Sequence, residues 1–338
     1  MTNEVRLEKT TEYKDRITGL VAFGIIEIIL GALFAIMFIS STLITLFMPF
    51  QQDTSSAMNS NVMIVGLVFY VFLSALFIWL GIGSIKAKRW ARTLWLIISW
   101  IGLIGGTIGL VWTAIVMLNM GTISNTEVPK LVTTIITCVS LGFMFIFYVV
   151  IPASLIFFYS SKHTKATCEH RDPNIRWTDR CPAPILALSL MCWYGAVTIF
   201  FVAFTGWAVP FFGQILSGTS GAIVVIISSA ILVYIAWTSY RLKIVAWWTT
   251  LIMILFWGIS NIITFSKVDL MEFYEKMNYT GQQLETMQQL NLPEKPLMVV
   301  MCISWMIISI AFLIFIKKYF TSETRQKYTS LERQTGSS

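Results

Sequence analysis

Eight long apolar runs constrain this chain more than any other feature. They lie near residues 17–47, 62–85, 91–118, 131–159, 184–212, 221–240, 244–265 and 297–316. A helix crosses the hydrocarbon core of a bilayer in about 20 residues, rising about 1.5 Å with each. The runs are continuously apolar rather than alternating, so they read as helices and not as barrel strands. The first, fourth and fifth exceed the minimum and have length to tilt, bend or project beyond the bilayer. Only 12% of the 338 residues are charged and 56% are hydrophobic, more apolar surface than a water-soluble fold of this size can hide. The chain therefore reads as an all-α, polytopic helical membrane protein with eight transmembrane helices.

Charge gives these spans a direction. Twenty of the 24 Lys and Arg residues fall in alternate segments: the start, the second-to-third turn, the central loop, the sixth-to-seventh turn and the tail. Only Lys130, Lys267, Lys276 and Lys295 fall on the other side. The positive-inside rule then puts both termini in the cytoplasm. With acids included the inner side carries +11 and the outer side −3, and Glu27 is the one charge within a span. Topology accounts for the inner charge, and anionic headgroups on the cytoplasmic side are the partners that would add to it. The bases are scattered through short loops and build no separate basic domain, which speaks against nucleic acid. Trp90, Trp177, Trp207, Trp237 and Trp247 sit near span ends, where an indole buries its ring and wets its N–H.

The expected organisation follows. Residues 1–16 form a cytoplasmic segment, 17–159 a first four-helix half and 160–183 a basic cytoplasmic loop. Residues 184–316 form a second half with an outer loop at 266–296, and 317–338 a disordered cytoplasmic tail. The first run is far longer than a signal h-region of about 7–15 residues and reads as a retained span. Three of the five cysteines fall in spans and two in the inner loop, so no structural disulfide is expected.

The halves share a plan. Ser84–Lys88 can be set beside Ser239–Lys243, with Ala91 beside Ala246, and Met48–Phe50 resembles Val209–Phe211. An even number of spans per half would make a 4+4 internal repeat parallel. Convergence on short basic turns explains the same identities. In the outer loop, Ser266 with Asp269 and Thr280 with Gln283 resemble capping boxes, and two short amphipathic helices are expected there. Asn278–Thr280 matches a glycosylation acceptor.

Candidate chemistry is sparse. Glu27 is the intramembrane polar candidate, because a carboxyl in lipid is costly and marks either a hydrogen-bonded partner or a proton or cation site. His163, Cys168, His170 and Cys181 share the central loop and are residue types that bind zinc, although their spacing is not that of a standard finger. Gly218–Gly221 resembles the G-x-S-G string of rhomboid-like intramembrane proteases over four residues. No span supplies the histidine that the resemblance requires, so a turn opening a helix is expected there. Gly102, Gly105, Gly106 and Gly109 make two overlapping G-x-x-x-G motifs, for packing inside the bundle or for a homodimer seam. Pro152 removes one backbone N–H and should kink the fourth span about one turn earlier.

The Phe23–Gly31 segment and the Lys88–Arg92 turn resemble bacterial membrane proteins, which implies a bacterial inner membrane. No acid–base pair, nucleotide loop or zincin helix reads from the spacing. The expectation is a non-enzymatic protein without a cofactor, acting through membrane lipids, a protein partner or its own oligomer. The alternative is a transporter or pore for a small neutral or apolar solute, with Glu27 in its pathway.

Overall fold

The computed structural model describes residues 14–47, 60–121, 130–277, 279, 281, 284–285, 295–321, 323–324, 326 and 328. Eight helical segments among them are long and apolar enough to span a membrane. In chain order the helices are α1 (Ile17–Phe47), α2 (Ser60–Ile85), α3 (Arg89–Gly121), α4 (Lys130–Phe145), α5 (Ile151–Ser160) and α6 (Lys162–Arg171). They continue with α7 (Ala183–Thr198), α8 (Gly218–Tyr240), α9 (Ile244–Lys267), α10 (Leu270–Lys276) and α11 (Lys295–Lys317). The fourth span is α4 and α5 joined by a π-helical turn at Ile146–Val150. Pro152 has no N–H to donate, and the wider turn just before it makes room for the ring. Ile151 donates instead to the carbonyl five residues back, at Ile146.

The first two helices form a tight antiparallel pair, held at glycines. A Cβ on Gly24 would come within 2.8 Å of the Gly81 carbonyl oxygen, and one on Gly81 within 2.8 Å of the Gly24 oxygen. One on Gly31 would meet Ile78 Cγ1 at 2.7 Å and the Ser74 carbonyl at 3.0 Å. Gly24 and Gly31 are one heptad apart, as are Ser74 and Gly81, so one seam of small residues runs along both helices.

Two apolar cores fill the end of the bundle that carries the basic segments. Leu20, Leu80, Leu94, Trp95, Leu155 and Cys168 build the first from α1, α2, α3, α5 and α6. Ile185, Cys192, Ile235, Trp247, Leu313 and Phe320 build the second, and α3 contributes Ile97 to it. The indole of Trp247 donates to the Leu313 carbonyl at 2.8 Å, so it ties α9 to α11 rather than reaching water as expected.

Two turns join the middle spans of each half with the same backbone. Ala87 (φ 48°) and Leu242 (φ 53°) both lie in the left-handed region. Each donates three residues back, to Ser84 and Ser239, while Lys88 and Lys243 donate to Gly83 and Thr238. This is the Schellman closure of a helix end. The likeness does not extend to the first span of each half. α1 runs unbroken, whereas α7 stops at Thr198 and passes into a 3-10 turn, Ile199–Thr205. The fifth span is thus shorter than the 184–212 run. Gly206 (φ 70°) and Trp207 (φ 61°) reverse the chain, and Val209–Phe211 pairs with Gln214–Leu216 as an antiparallel hairpin. Its tip, Phe212 and Gly213, has positive φ at both residues, the conformation that matches the twist of two hairpin strands. Their amides donate to Ser260 Oγ and Thr264 Oγ1 of α9, each at 3.0 Å.

The central loop also holds more structure than expected, with helix α6 and a 3-10 turn at Trp177–Asp179. In the outer loop, α10 begins after Asp269, one turn later than the Ser266 capping signal implies, because α9 continues to Lys267. The second expected helix lies largely outside the described residues, as do Asn278 and Met48–Phe50.

Candidate functional site

Glu27 sits on the face of α1 that turns toward α2 and α5, and 2% of its surface is exposed. The Tyr159 hydroxyl donates to Glu27 Oε1 at 2.8 Å and lies 2.8 Å from Ser84 Oγ. The indole of Trp95 faces the same carboxyl. Glu27, Ser84 and Tyr159 come from three different spans, and all three are buried at the basic end of the bundle, beneath α6. Tyr159 and Ser84 escape sequence reading because a polar residue one position from the end of a span looks like an ordinary boundary residue. The network joins α1, α2 and α5 by hydrogen bonds where apolar packing alone would allow them to slide.

A second polar cluster lies just outside the spans. The Asp172 carboxylate, almost fully buried, accepts from Arg176 at 2.7 and 3.1 Å and from the Arg89 amide at 3.4 Å, and pairs with Lys88 at 3.5 Å. Arg89 reaches Asp179 at 3.3 Å and Glu169 at 3.5 Å. The Arg176 hydrogen bonds, with the Lys88 charge, hold the Asp172 carboxyl below the usual carboxylate range against the opposing effect of burial. Arg171 pairs with Asp15, and the Arg16 amide donates to Thr167 Oγ1. The start of the chain, the second-to-third turn and the central segment are therefore bound to one another at one end of the molecule. These are the segments that charge counting groups together.

The four zinc-type residues do not meet. Cys168 packs in the first core and Cys181 in the second. His163 Nδ1 accepts from the Lys14 amide at 3.3 Å. Among the described residues, no three His, Cys, Asp or Glu side chains form a metal-binding group. Burial pushes the Cys168 thiol up to about 11 and the Cys181 thiol up to about 12. Both behave as small core hydrophobes.

The glycines of α3 divide by face. A Cβ on Gly106 would meet Tyr148 Cβ at 2.7 Å, and one on Gly102 would touch Pro152 at 3.7 Å. That pair packs inside the bundle against the fourth span. Gly105 and Gly109 have nothing within 4 Å of a Cβ and lie on the outward face. In the Gly218–Gly221 string, Ser220 Oγ donates to the Ser217 carbonyl at 3.0 Å and α8 opens at Gly218. Gly221 is required there because the Trp207 carbonyl oxygen fills the place of its Cβ.

A cavity of about 950 Å³ lies between the halves at the end away from the basic segments. It is bounded by α3 at Thr107–Ile115, α8 at Val225–Leu232, α9 at Met253–Asn261, α11 at Leu297–Ser309 and the base of the hairpin. Its walls are mostly Ile, Val, Met and Trp. Thr107, Ser228, Asn261, Ser304 and Ser309 are its polar points; among the described residues no charged side chain or histidine lines it, and Glu27 is not part of it. No sequence period marks these residues, because they come from separate elements.

The fold and these sites define a multi-pass helical membrane protein. Compared with known proteins, the chain matches no family model, no curated protein and no solved structure.

Proposed function

We propose that this is a non-enzymatic membrane protein that holds an apolar chain from the bilayer in the cavity between its two halves. The observation that carries the reading is the lining: about 950 Å³ of space inside the spanning region, walled mostly by aliphatic and aromatic side chains and, among the described residues, without a charge. Water has too few polar partners in such a space, and lipid is the surrounding solvent. The membrane is proposed to be a bacterial inner membrane, with the basic end and both termini in the cytoplasm. A carrier that routes its solute past Glu27 has less support, because that carboxyl is engaged by Tyr159 and lies outside the cavity.

Native mass spectrometry of protein extracted from membranes in mild detergent tests the reading. The wild type should retain lipid or another apolar molecule. Thr107→Trp with Ser304→Trp, two exposed positions on the cavity wall, should release it without loss of fold. Equal retention by the folded double variant would sink the proposal. Release of a small neutral solute in place of a lipid would favour the carrier reading.

A further inference from the structure

The cavity between the halves holds polar groups that its apolar walls do not explain. We infer that its ligand is an uncharged lipid whose head both donates and accepts hydrogen bonds, as that of a diacylglycerol does, and that Asn261 and Ser228 hold this head. The inference rests on the reading of the cavity as a lipid site and names the class of lipid.

Unused hydrogen-bonding capacity is the first argument. The Thr107 and Ser304 hydroxyls turn back to their own helices and donate to the Leu103 carbonyl at 2.6 Å and the Val300 carbonyl at 2.8 Å. The Asn261 carboxamide makes no hydrogen bond among the described residues, and neither does the Ser228 hydroxyl. Ile254, Trp257, Gly258 and Asn261 recur at helical spacing, so one face of α9 turns the carboxamide into the cavity. Ser228 lies on the α8 wall and is only 4% exposed. A carboxamide offers two donors and an acceptor, and leaving them unmet in an apolar space is costly. A hydroxyl beside a carbonyl meets both needs at once, whereas a plain hydrocarbon meets neither.

Depth is the second argument. α9 ends at Lys267, at the end away from the basic segments, and Asn261 lies six residues before it, about 9 Å along the helix. α8 opens at Gly218, and Ser228 lies ten residues on, about 15 Å along. A phosphate drawn to that depth would lose its water, and the polar side chains described there are neutral. An uncharged glycerol head has no charge to desolvate and can follow its acyl chains inward. The Ile, Val, Met and Trp side chains of the wall then cover those chains, while the few polar groups set the orientation.

The test presents the purified full chain in detergent with equal dioleoylglycerol and dioleoylphosphatidylglycerol, which share their acyl chains. Lipid retained after gel filtration is measured by mass spectrometry. The wild type should retain the diacylglycerol in preference. Asn261→Leu removes the carboxamide at similar volume and should lower that preference about tenfold, the scale of one or two hydrogen bonds. Ser228→Ala should lower it about threefold. Thr249→Val removes an α9 hydroxyl that is bonded to the Val245 carbonyl outside the cavity, and should leave the preference intact. Should Asn261→Leu fail to fold, Ser228→Ala is read in its place, because loss of one hydroxyl leaves the helix packing unchanged. An unchanged preference in the folded cavity variant, an equal fall in Thr249→Val, or equal retention of the two lipids by the wild type would each overturn the inference. Phosphatidylglycerol held in preference and released by Thr107→Trp/Ser304→Trp would overturn it while the cavity reading stands. A wild type that holds no lipid, native or added, would overturn both.

Discussion

Single residues here are informative through their partners. Tyr159 donates to Glu27 and meets Ser84, so Tyr159→Phe strands a buried carboxyl oxygen and a hydroxyl at once. The expected cost is about 1–3 kcal/mol, measured by thermal or denaturant unfolding in detergent. Glu27→Gln keeps an acceptor for Tyr159 and should cost clearly less. An equal cost would mean that the carboxyl has a role beyond accepting this bond. Asp172 makes a prediction about pH. Its folded value lies below the ordinary carboxylate range, so its contribution is fully present above about pH 4 and is lost as pH falls through the folded value. Hydrogen exchange in residues 160–183 should therefore rise on acidification from pH 5 toward pH 3. In Asp172→Asn it should be raised already at neutral pH. The two loop cysteines give a third readout. With their thiols pushed up to about 11 and about 12 by burial, both should resist maleimide at pH 7.5 until the protein is unfolded.

At the scale of elements, small residues decide which helices touch. Gly81 and Gly24 lie backbone to backbone, and Gly106 lies under the Tyr148 ring. Gly81→Leu should lower stability by about 3 kcal/mol or more, and Gly106→Leu by about 1–3 kcal/mol. Gly105→Leu points outward and should be tolerated, with unfolding in detergent as the common measurement. A stable Gly81→Leu protein would contradict the packing of α1 on α2. The glycine pattern of α3 is plain in the sequence, but its meaning is not: one face of the helix packs and the other is open. The tighter seam, at Gly24, Gly31, Ser74 and Gly81, is harder to read because a heptad of small residues does not stand out within an apolar run. Pro152 marked where the fourth span would depart from a regular α-helix, but the form of the departure, a π-helical turn at Ile146–Val150, was not legible in the sequence, which pointed to a kink. The hairpin at Val209–Leu216 was not legible. Its strands are apolar like the span before them, and its anchors, Ser260 and Thr264, lie about 50 residues away in the chain.

At the scale of the molecule, the described packing is concentrated at one end of the bundle. Both cores, the Glu27 network and the Asp172 cluster lie at the basic end, while the cavity lies at the far end. The sequence by itself determined the class and the number of spans, because about 20 consecutive apolar residues have one stable arrangement in a bilayer, the helix. It also grouped the basic segments, and the start of the chain, the first short turn and the central segment do meet in space. Only the tertiary structure decided where Glu27 finds its partner, that the four zinc-type residues stay apart, and which apolar residues face a cavity rather than lipid. The physical reason is that every side of a spanning helix is apolar. Hydrophobicity, which tells inside from outside in water, tells nothing about which face of such a helix packs. That choice falls to small residues, a few hydrogen bonds and the meeting of distant elements.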